Sequence, residues 1–306
     1  MLGQSTNGRQ SADGDGAEAG RSRGERMVWL LIIVVALSIP ALGVLIWLNR
    51  LRFRIFVEEE ALRLWTTPAA TPVPPQQDDA LPAPVKSYLE QAMGLRAAPV
   101  KAVRLSHGGD LRPDPGQSWL RIRGDQYFAT DPPGFVWWGR ASLSPGLSIE
   151  ACDESVAGAG RMRIKIASTV TVADTRGAEI DQGALLRLLA EMVWFPGALL
   201  DARYVTWAPH DDSSAQATLR VAGREVRATF QFGADGLPRR IDAMRYAIER
   251  GRSELRPWFG EMGDFRLESG LLVPHRMEAG WQLPGGPFPY ARFIVERVEY
   301  DRPEPF

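Results

Sequence analysis

The 306 residues hold one cysteine (Cys152), three lysines (Lys86, Lys101, Lys165) and three histidines (His107, His210, His275). A single cysteine excludes an intramolecular disulfide framework and any zinc site built on thiolates. Net charge is only −1, so no general field draws the chain to nucleic acid, and none is expected as a partner. The histidines lie far apart with no H-E-x-x-H among them, and His210-Asp211-Asp212 beside two serines reads as a turn. The nearest approach to a nucleophile elbow, Ser142-Leu-Ser-Pro-Gly146, lacks the first glycine and places proline after the serine. Gly158-Ala-Gly160 would need glycine at Arg163 to form a phosphate-binding turn. No catalytic residue, metal site or cofactor follows from the sequence, and an enzyme, with a hydrolase the nearest case, is the least favoured reading.

Arginine carries almost all the positive charge. It suits phosphate recognition, and a GC-rich coding sequence produces the same excess. Residues 1–26 contain almost no large apolar side chain and are expected to be a disordered tail. Residues 27–48, MVWLLIIVVALSIPALGVLIWL, carry no charge. At about 1.5 Å per residue such a run crosses a hydrocarbon core. Trp29 and Trp47 stand near its ends, where interfacial aromatics are favoured, and Pro40 does not forbid insertion. The run is too long for a signal-peptide core and ends at Asn49-Arg50 without a small-residue cleavage site. Residues 27–49 are therefore expected to be a transmembrane helix. Arginines flank it evenly, Arg9, Arg21, Arg23 and Arg26 before it and Arg50, Arg52, Arg54 and Arg63 after it, so the positive-inside rule gives a tie. A short tail and a long spacer favour a single-pass plasma-membrane protein with its C-terminal domain extracytoplasmic.

Residues 50–80 read as a juxtamembrane segment and a Pro-rich linker, with six prolines between Pro68 and Pro84. The globular domain is expected over 81–306. A short helix from Pro84 to Met93 is closed by Gly94, and strands dominate thereafter. Met162, Ile164 and Ile166 alternate with Arg161, Arg163 and Lys165, and residues 225–232 alternate likewise. That period of two marks strands with one wet face, hence an antiparallel sheet. Ala222-Gly223 and Asp235-Gly236 supply tight turns. One helix interrupts the series, from an expected N-cap at Asp181 to Pro196. Only Arg187 and Glu191 are charged between Ala184 and Trp194, so the helix is apolar over far more than the arc a flat sheet covers. The expected fold is α+β: a curved antiparallel β-sheet, a half-barrel, around a long apolar helix, preceded by one transmembrane helix.

The stretch Arg187-Leu-Leu-Ala-Glu-Met-Val-Trp-Phe-Pro-Gly-Ala-Leu-Leu200 resembles the central motif of an uncharacterised bacterial family, a domain of unknown function often found behind a membrane anchor. Residues 106–112, Gln126-Tyr127, residues 158–162 and Val273-Pro274 fit its weaker signatures, and Leu188 stands where the motif carries an aromatic. The half-barrel looks like periplasmic lipoprotein-carrier folds. That likeness is one of architecture; the favoured reading is a binding domain with a hydrophobic cavity, so a hydrophobic small molecule or lipid is the expected partner, besides the membrane itself through residues 27–48. Candidate ligand-binding residues are Arg187, Glu191, Trp194 and His107. The charged pair would line a cavity for a polar head group, against the plainer alternative of a surface i,i+4 pair. Trp119, Trp137, Trp138, Trp194, Trp207, Trp258 and Trp281 are expected in the core or around a cavity. A structural or interaction protein with a solid core is the alternative.

Overall fold

The computed structural model describes residues 15–68, 81–94, 99–144, 147–249 and 252–306. It divides into two compact units, residues 1–49 and 50–306. Of the expected disordered tail, residues 1–14 lie outside the described residues, and the backbone from Asp15 is helical. Most of the expected linker, residues 69–80, also lies outside them.

The first helix, α1, runs from Asp15 to Thr66 and keeps Pro40 inside it. Within the first unit, its apolar side chains between Met27 and Leu48 are mostly exposed, Leu31 to 66% and Ile39 to 68%. By length and composition this is a helix able to cross a membrane.

The second unit is built on one 13-stranded sheet in which every paired strand is antiparallel. In chain order the strands are β1 (Ala102–Leu111), β2 (Leu120–Thr130), β3 (Pro133–Ser144), β4 (Leu147–Val156), β5 (Ala159–Ile166), β6 (Val170–Thr175), β7 (Val205–Asp211), β8 (Ser214–Val221), β9 (Arg224–Phe232), β10 (Pro238–Glu249), β11 (Arg252–Glu268), β12 (Leu271–Leu283) and β13 (Gly286–Tyr300). Their order in the sheet is β6-β5-β4-β3-β2-β1-β13-β12-β11-β10-β9-β8-β7. Two meanders thus run outward from the β1–β13 pair, and the chain passes from one edge, β6, to the opposite edge, β7. The connection is helix α3 (Ala178–Glu191), with 3-10 turns at Met192–Trp194 and Pro196–Leu200. Helix α3 touches β3, β4 and β5 on one wing and β8, β9 and β10 on the other. A straight helix reaches both wings only if the sheet curls around it. The expected half-barrel is the observed fold.

Leu185, Leu188, Leu189 and Met192 are fully buried against the sheet. The helix starts earlier than expected: Gly177 is the N-cap, and Asp181 lies inside the first turns. Its carboxylate accepts instead from Gly160 N of β5 (2.7 Å) and Arg224 Nε of β9 (2.8 Å), pinning both wings to the helix. The short helix α2 (Ala83–Met93) opens on two prolines and stops at Gly94, whose φ of 47° lies in the left-handed region glycine favours. The Ala222-Gly223 turn has φ of 48° and 78°, the two positive values a type I′ hairpin requires. Strand β6, where Val170 and Val172 alternate with threonines, is an addition to the expected strands.

The wet outer face expected of β5 is largely covered. Residues 50–66, the expected juxtamembrane segment, continue α1 and fall within the second unit. Phe53, Val57, Ala61 and Leu64, spaced at three and four, are at most 2% exposed and pack on Tyr127, Val136, Trp138 and Cys152. Trp65 Nε1 donates to Phe128 O at 3.0 Å. The guanidinium of Arg163 lies 4.3 Å from the Phe56 ring centroid and that of Arg161 5.6 Å. Both arginines bond Asp174 of β6. The arginine stripe therefore serves as a floor for the helix.

Candidate functional site

The charged pair on α3 is the centre of a buried network. Arg187 Nε donates to Glu191 Oε1 at 2.8 Å, its Nη1 to Asp153 Oδ2 at 2.8 Å and its Nη2 to Gln126 Oε1 at 3.2 Å. Gln126 Nε2 closes the ring by donating to Glu191 Oε2 at 2.7 Å. The guanidinium also lies 4.9 Å from the Phe135 ring and 5.0 Å from that of Trp137. Burial works against the charge on Arg187, but Glu191 and Asp153 outweigh it and hold the guanidinium protonated. One cation shared by two carboxylates leaves Glu191 undercompensated, so burial pushes its carboxyl up.

His107 joins through Trp137, whose Nε1 donates to His107 Nε2 at 2.8 Å. The imidazole is 3% exposed. Burial, with the charge of Arg187, pushes its pKa down to about 3, so it stays neutral. Two glycines make the arrangement possible. His107 faces Gly124 across the ladder, and Gly124 faces Gly139. A Cβ on Gly124 would come within 2.2 Å of His107 Nε2, and one on Gly139 within 2.2 Å of the Trp137 ring. The indole lies in the trough they leave.

Of the residues singled out from the sequence, the structure thus gathers Arg187, Glu191 and His107 and sets Trp194 apart. Trp194 Nε1 donates to Pro274 O at 2.9 Å, and its ring packs 5.9 Å from that of Phe128. Asp153 and Gln126 complete the network; neither is among the candidate binding residues read from the sequence, where Gln126 enters only with the family's weaker signatures. Their signal was present: a strand residue facing a lone cationic helix position must answer it. Among the described residues no three of His, Cys, Asp and Glu are grouped to hold a metal.

A second feature opens in the wall of the half-barrel. Strands β9 and β10 pair only from Pro238 to Asp242 of β10, ending at Thr229 opposite Asp242. Beyond that point β9 continues with β8 and β10 with β11, so the two strands part. Gln182 of α3 takes the place of the missing strand. Its Nε2 donates to Met244 O at 2.7 Å, and its Oε1 accepts from Tyr246 N at 3.2 Å. A cleft of about 740 Å³ occupies the gap. Val226, Ala228, Ala243 and Trp258 line it from the helix side, and Met244, Leu255 and Pro257 from the outer side. Met244 and Leu255 are nearly half exposed. Charged residues, Glu225, Arg227, Arg240 and Asp242, also line it.

No curated protein matches the chain. Among solved structures it is similar to a putative outer membrane lipoprotein-sorting protein domain from Vibrio parahaemolyticus, at 8% identity and a TM-score of 0.35, over 66% of this chain and 86% of that one. It is similar to a LolA superfamily protein from Nitrosomonas europaea at 9% identity and a TM-score of 0.35, over 72% of this chain and 93% of that one. A beta-barrel-like protein of domain of unknown function DUF1849 from Brucella abortus is similar at 12% identity and a TM-score of 0.29, over 67% of this chain and 100% of that one. The resemblance read from residues 187–200, to a family without an assigned activity, is borne out. The family's model matches residues 72–293, and the chain belongs to the family of unknown function DUF6544.

Proposed function

We propose that the protein is a single-pass, membrane-anchored domain that holds a hydrophobic or amphipathic small molecule on the outer side of the plasma membrane. The observation that carries ligand binding is the cleft between β9 and β10. Its volume lies in the range of small-molecule sites, and apolar side chains line it from both faces of the sheet. The anchor reading is supported by residues 27–48, whose exposed apolar surface suits hydrocarbon and not water. In this reading Arg187, Glu191 and His107 seat α3 against the strands, and Trp194 fixes the far end of that helix.

Native mass spectrometry of the chain extracted from its own membrane tests the ligand. The expected result is a bound species of lipid-like mass; repeatedly empty protein sinks the reading. Orientation is checked by fusions at the C-terminus. Alkaline phosphatase should be active there and a fluorescent protein dark, and the opposite pair places the domain in the cytoplasm. A second reading, a structural or interaction domain with a solid interior, is favoured by the complete burial of Leu185, Leu188, Leu189 and Met192. Empty protein together with a partner recovered by crosslinking would decide for it.

A further inference from the structure

One end of the sheet gathers hydrogen-bond donors without matching acceptors. The β1–β2 and β12–β13 connections and the paired ends of β10 and β11, Glu249 opposite Arg252, all lie at this end. Ala243, Trp258, Trp281 and Phe288 stand opposite one another across four successive strands and so share one face. It is the face of Ile241, two residues before Ala243 and buried in the core with α3. An irregularity in the β12–β13 pairing falls at Tyr290, and its ring comes within 5.9 Å of Trp281. Its hydroxyl oxygen accepts twice, from Arg245 Nη1 and from Trp258 Nε1, both at 2.9 Å. Among the described residues its own O–H has no acceptor and Arg245 has no ion pair. Arg112 extends the pattern. Its guanidinium lies 4.5 Å from the Trp119 ring and 4.8 Å from that of Phe288, and its Nη2 donates to Pro289 O at 3.2 Å. Its Nε is buried without a partner, and among the described residues no carboxylate pairs with it.

Two uncompensated guanidinium groups and a free phenolic proton over an indole floor call for a partner rich in acceptors and negatively charged. We infer that Arg245 and Tyr290, with Arg112 at the far side, bind the anionic head, carboxylate or phosphate, of an amphiphile whose apolar part lies on Trp258 and in the β9–β10 cleft. Trp258 and Ala243 belong both to this row and to the lining of that cleft, so the two places adjoin at these residues. The inference rests on the reading of the cleft as a hydrophobic-ligand site and adds the class of ligand.

The test uses the full chain in phosphatidylcholine nanodiscs and three photoreactive amphiphiles of one acyl length: a fatty acid, a lysophosphatidic acid and an uncharged monoacylglycerol. Labelling by an anionic probe is expected on peptides containing Trp258 or Trp281. Tyr290→Phe and Arg245→Gln should each cut it roughly tenfold, the loss of a hydrogen bond to a charged group, while labelling by the glyceride is unchanged. The glyceride result also shows that the variants are folded, and Tyr290→Phe keeps the ring that packs on Trp281. A fatty acid or a phosphate that labels alone identifies the head group. Undiminished labelling of both variants by the anionic probes overturns the inference; if the glyceride labels the cleft in that case, hydrophobic binding survives without it. Absence of labelling by all three removes both.

Discussion

At the scale of single residues, the decisive contacts are buried charges whose partners come from distant segments. Arg187 answers Asp153 and Glu191 at 2.8 Å each. Its replacement leaves two carboxylates in the interior with no cation, so Arg187→Met should cost about 3–5 kcal/mol in urea unfolding. A loss within about 0.5 kcal/mol would show that the network is solvated. Glu154 behaves differently. It lies under residues 50–66 at 3% exposure, and burial, followed by the neighbouring charge of Glu60, pushes its carboxyl up to about 7. In the unfolded chain it titrates near the ordinary glutamate value, about 4.3. Between these two values the native state holds the extra proton, so stability falls as pH rises through that window and stays reduced above it. Glu154→Gln should remove this slope, gaining on the parent chain from about pH 5 to pH 8. Identical pH profiles would mean that the carboxyl is ionised in the native state. His107 has the opposite sign: its depressed value of about 3 means stability is lost as pH falls from about 6.5.

At the scale of elements, residues 50–66 and α3 clamp the same strands from opposite faces. On β4, Asp153 turns inward to Arg187, while Cys152 and Glu154 turn outward beneath α1. The outer helix is therefore part of the domain. Val57→Asp places a charge at a fully buried position and should destabilise by several kcal/mol; limited proteolysis would then cut within 50–66. A chain starting at Leu81 should aggregate, because Tyr127, Val136 and Trp138 lose their cover, whereas one starting at Arg50 stays folded. Equal solubility of the two chains would contradict this packing. The Gln182 bridge makes a finer prediction. Gln182→Ala should speed hydrogen exchange at the Tyr246 amide by tenfold or more, since that N–H loses its partner. Unchanged exchange would mean that the gap between β9 and β10 is closed by other means.

At the scale of the whole molecule, two meanders of one sheet depend on a single crossing. Helix α3 carries the chain from one edge strand to the other, so it must be apolar on nearly every side, and the isolated charges on it must find partners in the strands. Residues 50–306 expressed alone should be a soluble monomer or oligomer, while the full chain partitions into detergent through residues 27–48. Partitioning of both into detergent would place further membrane contact in the β-rich unit.

Much of this was legible in local pattern. The uncharged run of 22 residues, the period-two strands, the glycine turns at Ala222-Gly223 and Asp235-Gly236, and the all-round apolarity of α3 each follow from spacing within a few residues. Together they determined an antiparallel sheet that had to curl, and they marked Arg187 and Glu191 as the charges needing an account. Spacing says nothing about which distant surface a face meets. Alternation on β5 made its arginines look wet, because a helix more than 90 residues earlier in the chain covers them only in the folded state. Asp181 looked like a cap until Gly160 and Arg224 supplied nearer donors. The acceptor-poor cluster at Tyr290 joins residues from three hairpins, and its imbalance of donors exists only when those hairpins are side by side. The sequence by itself determined the period and polarity of each element. Tertiary structure alone decided which buried charges are answered and which are left for a ligand, because that balance depends on through-space distance and burial rather than on order along the chain.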